Sequence, residues 1–236
     1  DIQNSGIDPD ALSGFDPKEF EVYRDPELEG KVANVVELLR SARRPLVHVG
    51  QGVRIAGADN EFFKLVERHR LPFVTARNAN DMVAWDHELY AGRPGTFAQR
   101  GANFAVQTSD IYLAIGTRLS LAQTGYNAKD YARNAKVVMV DIDRAELDKG
   151  TVDLHLKIES DARIFLEELN RQLSQAKLDN QQWGEWLTQC QRWKRKYPVV
   201  LPEYRKQVGS VNSYHFIDIL SDVLTPDDVV VTDMGF

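Results

Sequence analysis

The sequence predicts an α/β fold: a doubly wound, mostly parallel Rossmann-like sheet with helices on both faces. Two observations carry this. Short apolar runs rich in β-branched residues recur at Leu46-Val47-His48-Val49, Ile111–Ile115 and residues 137–142, as strands buried on both faces require. Between them lie stretches with apolar residues at helical spacing, and strands alternating with helices are the mark of a parallel sheet. Composition agrees. The 236 residues are 43% hydrophobic and 27% charged, which suits one large domain with appendages and not a disordered chain or coiled coil.

Each element follows from local pattern. Residues 1–28, rich in Asp, Pro and Gly, read as a linker that Phe15, Phe20 and Tyr23 can pin to a surface. Val32, Val35, Val36 and Leu39 mark a helix that fades before Pro45, which holds Arg44 extended. A strand then runs into Gly50-Gln51-Gly52, and Phe62, Leu65 and Val66 mark the next helix. A strand over 72–75, an irregular stretch over 78–101 and a small-residue helix through Ala102, Ala105 and Val106 follow. Beyond the strands at 111–115 and 137–142, the alternation of Val152, Leu154, Leu156 and Ile158 predicts a half-exposed edge strand. Ala162, Phe165, Leu166, Leu169 and Leu173 form a helical stripe with Ser160 placed to cap it. The alternating domain therefore spans about 29–176. Residues 177–210 read as a helical linker carrying Trp183, Trp186, Leu187, Cys190 and Trp193. Residues 211–236 then supply a helix through Tyr214, Ile217, Leu220 and Leu224, capped by Ser213, and a strand over 229–231.

Charge and chemistry narrow the function. With 29 basic against 35 acidic residues and a net charge of −6, the chain lacks the basic field that nucleic acid demands. No apolar run approaches the roughly 18 residues of a membrane span. A lone Cys190 forms no internal disulfide, so a cytoplasmic location is expected. The five histidines, His48, His69, His87, His155 and His215, show no metal-ligand spacing, and His48 within a strand reads as a satisfied core residue. The Trp stripe reads as packing, and Lys194-Arg195-Lys196 as a solvated helix end complementing the dipole. No Ser-His-Asp arrangement or catalytic carboxylate pair stands out.

What remains is a set of strand ends. Gly50 and Gly52 sit where an open sheet binds a ligand and where glycines let backbone approach a diphosphate, although the pair alone also fits a bare tight turn. The third fingerprint glycine falls at Ile55, and the next strand ends in Thr75 with no acid for a ribose, which disfavours an ordinary nicotinamide site. Arg118, after Gly116-Thr117, offers a planar donor fork to phosphate or pairs with a surface acid. Asp141 ends the next strand, where it can accept from a ribose, while Asp143 with Glu146 fits a capping box. Three such ends in one domain favour a nucleotide-shaped ligand.

These segments also carry a resemblance. Asp1-Ile2-Gln3, residues 45–52, 110–118 and 136–146, and Ser160-Asp161-Ala162 match in order the central domain of thiamine diphosphate-dependent acetolactate synthase-like enzymes. The resemblance implies a piece of a longer chain. Its opening would end a pyrimidine-binding domain, and residues 211–236 would begin a truncated diphosphate-binding domain with Gly235 starting a loop that meets the diphosphate. It further implies a full-length enzyme, a homodimer or homotetramer, that decarboxylates pyruvate and transfers the two-carbon unit to an acceptor carbonyl. Thiamine diphosphate and Mg2+ would serve as cofactors, with catalytic residues outside this sequence. In the acetolactate synthase branch the central domain holds FAD, and Gly50, Gly52, Arg118, Asp141 and Asp161 match positions that line it. Two segments depart from the family pattern. Residues 117–122 replace Ala-Arg-Phe-Asp-Asp-Arg, and 92–98 lack the His-Gly pair of the usual glycine loop. Residues 119–127 are more similar to carboligases acting on a keto sugar. The contrasting expectation is a non-catalytic nucleotide-binding module.

Overall fold

In the computed structural model, which describes residues 5–16, 25–176, 178, 182–225 and 227–231, the apolar runs become five strands. These are β1 (Pro45–Val49), β2 (Phe73–Thr75), β3 (Ile111–Ile115), β4 (Lys136–Asp141) and β5 (Leu156–Glu159), in the order β2-β1-β3-β4-β5. All four pairings are parallel. The doubly wound α/β expectation is therefore met.

Strand alternation sorts the apolar residues into two cores. Val47, Val49, Leu113, Ile115, Val138 and Val140 share one with α1 (Leu28–Ser41), α2 (Gln51–Ile55), α3 (Asp59–His69) and α7 (Ala162–Gln175). The alternate positions Leu46, Tyr112, Ala114, Val137 and Met139 face α4 (Arg100–Thr108), α6 (Arg144–Asp148) and α8 (Gly184–Lys196), and a short α5 (Leu121–Thr124) follows β3. Such two-sided burial explains why the strands read as continuous apolar runs.

The structure corrects several local expectations. The helix after Gly52 is two, because Gly57 turns the chain at φ 61° between α2 and α3. Asp161, not Ser160, caps α7: its carboxylate accepts from Arg163 and Ile164 N–H, whereas the Ser160 hydroxyl donates to the Asp161 carbonyl. Asn212, not Ser213, caps α9 (Ser213–Val223) by the same geometry, an amide oxygen reaching two backbone N–H groups. The edge strand begins only at Leu156, since Val152 and Leu154 fold back against the second core. Residues 229–231 form no strand and stay exposed, and none of the five described strands pairs with them. Phe20 and Tyr23 lie outside the described residues.

Helix α8 is more than an arm. Trp183 Nε1 donates to Ala42 O at 3.0 Å and Trp186 Nε1 to Pro45 O at 2.8 Å, and Trp183, Trp186, Leu187 and Cys190 are buried. Lys194 departs from the solvated-end expectation. Its ammonium donates to the carbonyls of Trp85 and Tyr90 and lies 4.4 Å from the Trp85 ring centre. Burial there lowers its pKa to about 8, with Asp86 opposing.

Candidate functional site

In an open parallel sheet, ligands sit beyond the carboxyl ends of the strands where the order reverses. Here that reversal lies between β1 and β3, so the crevice opens between the loops starting at Gly50 and Gly116. Gly50, Gly52, Arg118 and Asp141 follow or end β1, β3 and β4, and Asp161 follows β5. Gly235 lies outside the described residues.

The glycines bring the two loops together. Gly50 N–H donates to Ile115 O at 2.9 Å, and Gly52 N–H to Gly116 O at 3.0 Å. A Cβ on Gly50 would lie 2.1 Å from Gly116 O, and one on Gly52 2.7 Å from Gly116 Cα. Gly116 has φ 59° and would itself drive a Cβ within 2.8 Å of Gly52 Cα. Backbone therefore meets backbone at the floor of the crevice, and these two amides are engaged within the protein. The unpartnered group is beside them: Gln51 Oε1 is buried with no hydrogen-bond donor among the described residues.

The charged groups form a cluster on the β3 and β4 ends. Asp141 Oδ1 accepts from Asp143 N–H at 3.0 Å, and Asp143 caps α6 by accepting from Ala145 N–H at 2.9 Å. Glu146 does not close the capping box. It instead approaches Arg118 Nε at 3.6 Å and Lys149 Nζ at 2.8 Å, while Lys149 also donates to the Arg118 carbonyl. Burial raises the Asp141 pKa, partly offset by the Asp143 N–H, and Glu146 raises it further while Arg118 lowers it. The Arg118 side chain is 72% exposed, so its guanidinium retains donors facing solvent. Asp161 is committed as the α7 cap.

Two features escaped the sequence reading. Large apolar side chains more than half exposed occur on four of the connections that leave the carboxyl ends of the strands: Ile55, Phe97, Leu121, Tyr126 and Ile142. Beneath them runs a buried polar chain. Thr117 Oγ1 donates to Gln123 Oε1 at 3.2 Å, so Gln123 Nε2 donates to His48 Nε2 at 3.1 Å and leaves the ring proton on Nδ1 toward the Tyr112 hydroxyl. Tyr112 in turn lies 2.7 Å from the Tyr131 hydroxyl. His48 was legible as a satisfied core residue, but its partners come from segments 64 and 75 residues away, beyond any local pattern.

Among the described residues no three His, Cys, Asp or Glu converge to hold a metal ion. The groups present are ones a flavin or adenine nucleotide could use: Arg118 has an exposed guanidinium for a phosphate, Gln51 Oε1 lacks a donor among the described residues, and exposed apolar side chains lie on the same set of connections. Nor is any helix among the described residues long and apolar enough to cross a membrane.

Comparison with known proteins agrees with this architecture. Residues 32–169 match the family model described as thiamine pyrophosphate enzyme, central domain. The chain is 31% identical over 221 residues to a probable acetolactate synthase large subunit from Methanococcus aeolicus, covering 87% of this chain and 35% of that protein. It is 29% identical over 236 residues to an acetolactate synthase large subunit from Corynebacterium glutamicum, covering all of this chain and 37% of that protein. The chain thus spans about a third of the length of these relatives. Thiamine pyrophosphate is thiamine diphosphate under another name, and with more than half of its residues matched the chain belongs to the thiamine pyrophosphate enzyme family, related to acetolactate synthase, and contains that family's central domain.

Proposed function

We propose that this chain is the nucleotide-binding central part of a thiamine diphosphate-dependent carboligase. The observation that carries the reading is that Gln51, with its unpartnered buried Oε1, and Arg118, with its exposed guanidinium, follow the two strands between which strand order reverses. FAD is the favoured occupant. Arg118 meets the diphosphate, Asp141 faces the ribose, and Gln51 Oε1 accepts from a ring N–H. Gly50 and Gly52 act by letting the two loops close, and Asp161 by fixing the first turn of α7 at the rim.

In the whole enzyme, thiamine diphosphate with Mg2+ would supply the carbanion chemistry, Gly235 would open the loop that meets its diphosphate, and the other residues that hold the two would lie outside this chain. The reaction is decarboxylation of pyruvate with transfer of the two-carbon unit to an acceptor carbonyl. Within that class, the resemblance of segment 119–127 makes a carboligase acting on a keto sugar the alternative. On this reading residues 1–28 lead in from a pyrimidine-binding domain, 29–176 are the central domain, 177–210 a helical linker, and 211–236 open the diphosphate-binding domain. The 236-residue chain alone is inactive, and the cytoplasmic enzyme is a homodimer or homotetramer.

The decisive experiment is an absorption spectrum of the purified full-length enzyme, with FAD reconstitution of wild type and Arg118→Ala. Bound flavin in the wild type, weakened roughly tenfold or more by Arg118→Ala, is expected from loss of a charge-assisted contact. A colourless enzyme that takes up no flavin at high FAD while turning over pyruvate removes the flavin and leaves the carboligase. Binding without any pyruvate turnover leaves the non-catalytic nucleotide module.

A further inference from the structure

The polar chain through His48 is costly to build and serves no purpose the sheet requires. Thr117, Gln123, His48, Tyr112 and Tyr131 are each at most 9% exposed, and apolar residues of similar size would fill the same face. A fully connected network in a low-dielectric interior differs from an apolar filling in one respect: it is directional and selects one arrangement. That arrangement concerns the loop after β3. The loop holds Leu119 at φ 47°, an uncommon conformation for a side chain of that size, between Gly116 at 59° and Gly125 at 74°. Surroundings must over-determine such a backbone for it to persist, and residues of this kind cluster at ligand sites. Here Gln123, pinned to His48, holds the loop from within. A second loop rests on the first: Thr96 N–H donates to Ala122 O at 2.9 Å, and Gly95 lies so close that a Cβ would come within 2.8 Å of the same oxygen. Arg118, Leu121, Tyr126 and Phe97 all ride on these two loops.

We propose that His48 is a positioning residue for the nucleotide: acting through Gln123, it holds the 116–126 loop, and through it the 92–98 loop, in the geometry that meets the ligand. The inference rests on the nucleotide reading of the site. It is tested in the full-length protein by measuring dissociation constants for FAD and ADP in His48→Leu, Gln123→Leu and the double variant, at a temperature where circular dichroism shows each folded. Each single variant should weaken both probes about ten- to hundredfold, the range for loss of one buried hydrogen-bonded contact. The double variant should lose no more than the single ones, because both substitutions break the same link. His48→Gln, which keeps a donor and an acceptor, should recover most of the affinity. If His48→Leu does not fold, Gln123→Leu at the edge of the core carries the same test. Lowered melting temperatures with unchanged dissociation constants would overturn the positioning role and leave the nucleotide site intact. A wild type that binds neither probe overturns the nucleotide reading, and this inference with it.

Discussion

His48 sits in the middle of β1 with no accessible surface, and its titration is a statement about stability. Burial lowers its pKa from the ordinary 6.5 to about 3, the Thr75 carbonyl opposes the shift, and no charged side chain contributes to it. The neutral ring is the form the Gln123 and Tyr112 contacts require. Between pH 6.5 and 3 the unfolded chain therefore carries a proton on His48 that the folded chain refuses, so stability rises with pH across that window and falls as acid is added. Fully developed, the slope is about 1.4 kcal/mol per pH unit. Urea melts at pH 7 and pH 5 should show wild type losing roughly 2 kcal/mol more than His48→Gln, whose side chain does not titrate. Equal losses in the two proteins would mean that His48 is protonated in the fold as readily as outside it.

At the scale of elements, α8 shows how a segment outside the alternating pattern becomes part of the sheet's cover. It packs along α4, where Gly101 lets the backbone at Trp193 approach so closely that a Cβ would lie 3.0 Å from it. Two indole N–H groups reach the carbonyls of Ala42, just before β1, and of Pro45, its first residue. Because Trp186 belongs to the second core, Trp186→Ala removes packing as well as a hydrogen bond. A loss of about 3–5 kcal/mol is expected in denaturant unfolding. A change below about 1 kcal/mol would mark α8 as a tether lying on an independently stable domain.

For the whole molecule, cohesion ends before the last helix. α9 packs on the turn at Pro202–Lys206 yet buries none of its residues, and Tyr214, Phe216, Ile217, Ile219 and Val223 are each at least half exposed. Its apolar residues therefore contribute little to either core. A chain ending at residue 206 should melt at the same temperature as the 236-residue chain, with sharper unfolding if the exposed apolar face promotes association. A clear drop in melting temperature would show that α9 supports the α/β unit.

The sequence by itself determined the fold class and the order of elements, because two-sided burial imprints continuous apolar runs on strands such as 111–115 and helical stripes on segments such as 162–175. It also located the strand ends that converge on the crevice, since glycine and charged residues interrupt apolar runs where a strand stops. Tertiary structure alone decided the rest. Whether Gly50 and Gly52 face a ligand or a neighbouring loop depends on Gly116, which is distant in sequence and adjacent only because β1 pairs with β3. The caps moved by one residue, from Ser160 to Asp161 and from Ser213 to Asn212, because the dihedral angles at the helix start choose the cap and neighbouring polar residues look alike in sequence. The run at 229–231 had strand composition but pairs with no strand among the described residues, since a strand is a property of a pair. The His48 network was equally invisible, because its five members come from segments joined only by the packing of β1, β3 and the loops that follow.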